Sequence, residues 1–182
     1  MNFIKTAIDG VFIIEPRIFT DERGYFFESY SKAAFEEAGL HYDFVQDNQS
    51  KSCYGTVRGL HFQKGEHSQA KLVRVLEGTV LDVAVDIRRA SPTYGQYVAV
   101  ELSAQNNRQL MIPRGFAHGF SVLSETAVFA YKCDNLYCRE SEGGIRFDDP
   151  TLAIDWRIDM ARALTSEKDK QHPFFAEFES CF

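Results

Sequence analysis

GTVRGLHFQKGEHSQAKLVRVLEG, residues Gly55–Gly78, is the stretch on which the reading of the chain turns. It sets Arg58, His61, Gln63 and Lys71 between segments that alternate like β-strands. A guanidinium holds an anion, an imidazole moves a proton near neutral pH, and an ammonium steadies a developing negative charge. Further along, His118 in PRGFAHGF, Tyr131 and Tyr137 in YKCDNLY, and Asp169 in SEKDK supply the residue types that complete such a set. The remainder reads as a barrel that carries them.

Outward from that stretch the strand signals accumulate. TVLDVAVDI (79–87) places Leu81, Val83, Val85 and Ile87 on one face, with Val80, Asp82, Ala84 and Asp86 on the other. QYVAVEL (96–102), RQLMIP (108–113), HGFSVL (118–123) and TAVFAYK (126–132) follow at short intervals, divided by Gly, Pro, Ser and Asn. Upstream, VFIIEP (11–16) is a short apolar run stopped by Pro16, and DERGYFFESY (21–30) turns at Gly24 before alternating aromatic with polar residues. SKAAFEEAGL predicts a short helix with Ser31 as N-cap and Gly39 as its stop. The last quarter loses the rhythm: a loop is expected around Gly143 and Gly144, and a helical turn near Ser166. Many short strands at this spacing predict a mainly β fold, a jelly-roll β-barrel with a few short peripheral helices, rather than an α/β sheet.

Length and composition fit one domain over residues 1–182 with a sizeable core. A net charge of −6 argues against bulk attraction to nucleic acid or to an acidic membrane, but leaves room for a small anion held by local arginines. MNFIKTAIDG lacks the apolar core of a signal peptide and no run is long enough to span a bilayer, which predicts a cytoplasmic protein. Cys53, Cys133, Cys138 and Cys181 show no C-x-x-C spacing, so they read as reduced and inert.

The motif G-T-V-R-G-L-H-F-Q resembles the first half of a cupin double motif, and P-x-G-x-x-H in PRGFAHGF its second half. Cupins commonly hold a metal through H-x-H, a carboxylate and a histidine of the second motif. Here His61-Phe62-Gln63 replaces H-x-H, and two imidazoles are a poor set for a transition metal. No metal and no cofactor is expected.

The ordered series DERGYFFESY, FVQDNQSKS, VRGLHFQ, AKLVRVLEG, DVAVDIR, SPTYGQY, IPRGFAHGF, YKC and SEKD resembles the dTDP-4-dehydrorhamnose 3,5-epimerase family from about Phe3 to at least Asp169. The resemblance implies a dTDP-linked 4-keto-6-deoxyhexose as substrate. Its C4 ketone acidifies the hydrogens at C3 and C5; each leaves as a proton and returns from the opposite face, with no redox cofactor or metal. It implies a homodimer with N-terminal strands shared between subunits, and a place in deoxysugar supply for cell-surface polysaccharide such as rhamnose.

Within that resemblance His61 is the base, Asp169 its carboxylate partner, Lys71 the enolate stabiliser and Tyr131 the proton donor, with Tyr137 second for the same role. Arg23 and Arg58 match diphosphate contacts. Glu28, Gln46, Asp47 and Asn48 match nucleotide and sugar contacts, and His118, Glu142 and Lys168 match further substrate contacts; Gln63 joins them from the core motif. Without the resemblance, plainer readings stand beside these: a strand histidine satisfied in the barrel, solvated surface lysines, and a capping box in S-E-K-D from Ser166 to Asp169. DNLYCRE departs from the family pattern of two adjacent tyrosines followed by a small residue and proline, since Leu136 replaces one aromatic. The alternatives are a 3- or 5-epimerase acting on one carbon, and, from other classes, a metal-dependent cupin oxygenase or a non-catalytic sugar-binding cupin.

Overall fold

The computed structural model describes residues 1–182. In chain order the strands are β1 (Asn2–Lys5), β2 (Phe12–Glu15), β3 (Phe19–Asp21), β4 (Gly24–Phe26), β5 (Gln46–Cys53), β6 (Val57–Gln63) and β7 (Lys71–Glu77). They continue as β8 (Thr79–Asp86), β9 (Tyr97–Ser103), β10 (Gln109–Ile112), β11 (Phe116–Val122), β12 (Thr126–Cys133) and β13 (Glu142–Gly144). Two short helices, α1 (Lys32–Glu37) and α2 (Glu167–Lys170), lie at the periphery. One antiparallel sheet runs β1-β2-β10-β7-β12-β5 and faces a second, β13-β6-β11-β8-β9, while β3 and β4 form a separate hairpin. Strands joined in sequence, such as β7 and β8, fall in opposite sheets, which is the jelly-roll arrangement.

Strand periodicity explains how the sheets close on one another. Inward residues Val73 and Val75 of β7, Val80 and Ala84 of β8, Phe120 and Val122 of β11, and Ala127 and Phe129 of β12 form the central cluster between them. The opposite face of β8, with Leu81, Val83 and Val85, is buried too, against Ile145, Phe147 and Trp156 of the C-terminal quarter. A strand covered on both sides reads as a near-continuous apolar run, as 79–87 does. On the far side of the six-stranded sheet, Phe35 of α1 packs with Ile14, Leu72 and Met111. Ser31 caps that helix by accepting from the Ala34 N–H, and Gly39 leaves it at φ +79.

One expectation is corrected. The Gly143-Gly144 pair is not a loop but part of β13, which pairs with β6 through Glu142↔Gln63, Gly143↔Phe62 and Gly144↔His61. A Cβ on Gly143 would fall 2.4 Å from the Phe62 ring, and one on Gly144 2.4 Å from the His172 ring. These glycines mark close approach, not a chain break.

A second close approach sets the site. The β6–β11 ladder shifts register between His118 and Phe120, leaving His118 opposite His61. A Cβ on Gly59 would lie 2.6 Å from Gly119 Cα, and one on Gly119 would lie 2.7 Å from the Arg58 carbonyl oxygen. Backbone lies on both sides, so neither side can yield as a flexible side chain would. Gly119→Ala is expected to destabilise the protein by about 1–3 kcal/mol through overpacking, read as a lower urea midpoint at unchanged m-value.

Candidate active site

The same inward periodicity that builds the core also builds a polar end to it. Lys71 continues the inward row of Val73 and Val75, Tyr131 that of Ala127 and Phe129, His118 that of Phe116 and Phe120, and Asp82 that of Val80 and Ala84. Lys71, Tyr131 and His118 line a cavity of about 650 Å³ together with Asn48, Arg58, His61 and Asp169, while Asp82 is buried beside His118. His61 enters from the five-stranded sheet, Lys71 and Tyr131 from the six-stranded sheet facing it. A smaller cavity of about 120 Å³ shares His61, Lys71 and Tyr131 and adds Gln63, Tyr137, Glu142, Lys168 and His172.

His61 Nε2 lies 2.9 Å from Asp169 Oδ1. Asp169 is buried, and its carboxylate also accepts from Ser166 Oγ at 2.7 Å and from the Gly59 N–H at 3.2 Å. Burial opposes its ionisation, but the hydrogen bond and charge of His61, with the Ser166 and Gly59 donors, outweigh it and hold the carboxyl at about 2. An ionised carboxylate only accepts, which assigns the His61 proton to Nε2 and the lone pair to Nδ1. Ser166 Oγ meanwhile accepts from the Asp169 N–H at 3.1 Å and caps α2. Capping and pairing with histidine therefore coexist in one tetrapeptide.

Lys71 is half-buried, and burial lowers its ammonium from the usual lysine range, with Cys133 and Asp82 opposing. Its Nζ stands 5.9 Å from the centre of the Tyr131 ring. Burial raises the Tyr131 phenol, so it keeps its proton at neutral pH. His118 is buried with Nε2 3.0 Å from Asp82 Oδ2; desolvation lowers its pKa, with Asp82 opposing and Lys71 and His61 assisting. Arg58 is exposed at the rim of the cavity, and its Nε donates to Ser52 Oγ at 3.1 Å rather than to a carboxylate.

Other predicted residues are placed differently. Arg23 and Glu28 are exposed and line neither cavity; Arg23 pairs with Asp21 at 2.6 Å within the β3–β4 hairpin. Gln46 and Gln63 turn their amide oxygens to the chain itself, accepting from the N–H of Tyr137 at 3.0 Å and of Cys138 at 2.8 Å. Both glutamines thus hold the Tyr137 loop in place. Asp47 pairs with Lys132 at 2.9 Å in a neighbouring groove. Glu142 and Lys168 form an ion pair, and burial of Glu142 is outweighed by Lys168, leaving its carboxyl below the usual range. Tyr137 is exposed, its phenol raised by desolvation and by Glu142.

Two participants escaped the sequence reading. Asp82 carried a signal: a carboxylate flanked by apolar residues in the middle of a strand demands a partner if it is buried. His172 carried none, because only the tertiary fold brings it beside His61, with ring centroids 5.7 Å apart. His61, Asp169 and His172 bring ligand atoms within 4.8 Å of one another.

A β-barrel with a histidine–carboxylate pair on one wall, and a lysine and a protonated tyrosine on the other, has the equipment of an isomerase that removes a proton from carbon and returns it from the opposite side. The chain belongs to the dTDP-4-dehydrorhamnose 3,5-epimerase family, whose model matches residues 5–177. It is 56% identical over 174 residues to the dTDP-4-dehydrorhamnose 3,5-epimerase of Salmonella typhimurium, covering 95% of this chain and 94% of that one. The crystal structure of the dTDP-4-dehydrorhamnose 3,5-epimerase from Elizabethkingia anophelis superposes with a TM-score of 0.93 at 58% identity, covering 97% of each chain. That of the Legionella pneumophila dTDP-6-deoxy-D-glucose-3,5-epimerase, in complex with dTDP-4-keto-L-rhamnose, matches at TM-score 0.93 and 51% identity, covering 98% of this chain and 94% of that one.

The buried carboxylate has a consequence for stability. Its folded value of about 2 lies below the ordinary 3.8, so the stabilisation is present above about pH 4 and is lost as pH falls towards 2. It amounts to about 2 kcal/mol. Asp169→Asn is expected to lower the unfolding free energy at pH 6 by about that amount, and the difference from the parent is expected to shrink as urea titrations are repeated down to pH 2.5.

Proposed function

We propose that this protein inverts C3 and C5 of dTDP-4-dehydro-6-deoxy-D-glucose to give dTDP-4-dehydro-L-rhamnose. The observation that carries this reading is the placement of His61 and Tyr131 on facing walls of one cavity, since inversion needs a base and an acid on opposite sides of a carbon. His61, oriented by Asp169, takes the proton from carbon at Nδ1. Lys71 steadies the enolate oxygen at C4. Tyr131 returns a proton from the other side, and Tyr137 is the second candidate for that role. His118, held by Asp82, faces the sugar; Arg58, free of any carboxylate, takes the diphosphate.

Arg23, Glu28 and the rest of the hairpin fit the reading through a second subunit. The hairpin exposes Phe19, Tyr25 and Phe26, each at least half accessible, beside Arg23. We assign it to the cavity of a partner copy in a homodimer, where Arg23 and Glu28 add to nucleotide binding. No helix is long and apolar enough to cross a membrane, and all four cysteines are free thiols, which suits work in the reducing cytoplasm.

Incubation with the keto sugar in heavy water, followed by proton NMR, tests the activity. Loss of both the C3 and C5 signals, slowed about 10²–10⁴-fold by His61→Ala, is expected; exchange at one carbon moves the protein to a mono-epimerase, and none overturns the enzyme. Tyr131→Phe is expected to keep exchange with solvent at carbon while blocking inversion, because the base still works and the opposite acid is gone. Shared sites predict complementation: inactive His61→Ala and weakened Arg23→Ala subunits, unfolded and refolded together, recover about a quarter of parent activity by random pairing. Activity no greater than the sum of the separate variants overturns the shared hairpin.

A further inference from the structure

We propose that His172 is a positioning residue for the epimerase reaction: its ring forms the wall that fixes the plane of the His61 imidazole, so that Nδ1 points to the carbon acid. The inference rests on the reading of His61 as the base. One hydrogen bond from Nε2 to Asp169 does not fix an imidazole. Coupled turns about Cα–Cβ and Cβ–Cγ still let the ring plane tilt about the Nε2···Oδ1 contact, and that tilt carries Nδ1 off its direction. A contact against the ring itself is needed to hold one plane.

The structure supplies that contact and braces it. The His172 ring meets the His61 ring edge to face, at 5.7 Å between centroids and 72° between planes. Behind it lies Gly144, directly paired with His61 across the β13–β6 ladder. A Cβ at Gly144 would lie 2.4 Å from His172 Cδ2 and Nε2, so the ring occupies the space a side chain would take. The segment carrying His172 follows directly on α2, which carries Asp169. It is clamped at its other end: Arg146 N donates to the Pro173 carbonyl at 3.0 Å, and Arg146 Nη1 to the Lys170 carbonyl at 3.2 Å. One short segment thus grips His61 twice, by its nitrogen through Asp169 and by its ring through His172.

The chemistry of His172 agrees with a neutral wall. Its Nε2 is buried without a hydrogen-bond partner, and Thr165 Oγ1, on the other cavity, is the one other buried side-chain polar atom so left. Orphaned polar atoms are costly and concentrate where a fold serves a site rather than its own stability. Desolvation lowers the pKa of His172; His61 and Lys168 act in the same direction, against Asp169 and Glu142. A neutral neighbour adds no positive charge beside His61 when it takes up a proton.

The test reads His61 directly, by nitrogen-15 NMR of its imidazole in the intact protein. The parent is expected to show one tautomer, protonated at Nε2. His172→Ala is expected to give averaged or doubled His61 signals and to cut kcat about ten- to a hundred-fold, with KM within about threefold. His172→Phe keeps a ring in place and is expected to restore both the single signal and most of kcat. Should His172→Ala fail to fold, Gly144→Ala pushes the ring off its seat and is read in the same way. Unchanged His61 signals and kcat in a folded His172→Ala or Gly144→Ala variant overturn the proposal, as does failure of His172→Phe to restore them. The NMR signals need no turnover, so a parent that does not epimerise refutes the function while His172 is still judged on His61.

Discussion

A buried carboxylate is tolerated only when its oxygens are answered, and the burial of Asp169 organises this molecule. Three donors converge on it from three places: the His61 imidazole on β6, the Gly59 N–H at the point where β6 crosses β11, and the Ser166 hydroxyl at the start of α2. Removing any one leaves a desolvated negative charge short of a partner, which is more costly than never having made the contact. Through that one side chain the C-terminal quarter is tied to the mouth of the barrel. The tie also leaves His61 with its proton on the side away from its free lone pair.

The barrel is divided along its length rather than across it. Towards one end the inward residues are valines, alanines and phenylalanines; towards the other the same strand rows continue as Lys71, Tyr131, His118 and Asp82. Burial shifts Lys71, His118 and Tyr131 in different directions. Lysine and histidine are pushed towards neutrality, the phenol is kept protonated, and Asp169 stays ionised because its partners overcome its desolvation. Groups of opposite tendency stand on facing walls, the condition for removing and returning a proton at carbon. Phe129 stacks on Phe120 at 4.2 Å and closes the apolar floor beneath them.

Much of this was legible in the chain. Alternation in 79–87 predicted a strand with two distinct faces; that both are buried, Asp82 and Asp86 included, is seen only in the fold. Ser31 and Gly39 marked the ends of α1, and Ser166 the start of α2. The Gly143-Gly144 pair misled, because glycine in sequence does not tell a turn from a place where rings must pass close to the backbone. Gln46 and Gln63, read as substrate contacts, spend their amide oxygens on the loop that presents Tyr137. A side chain with both donor and acceptor serves scaffold or ligand equally well, and only its neighbours decide.

By itself the sequence determined the mainly β architecture, the two alternating faces of 79–87, and the family to which the chain belongs, because periodicity and ordered motifs are properties of the linear chain. The tertiary structure alone decided that His61 meets Asp169, 108 residues away, that Asp82 sits beside His118, that His172 lies against the His61 ring, and that Arg23 does not line the cavity. Those outcomes depend on which strands fall in which sheet and on how closely two glycine backbones approach. Neither is encoded in any single stretch.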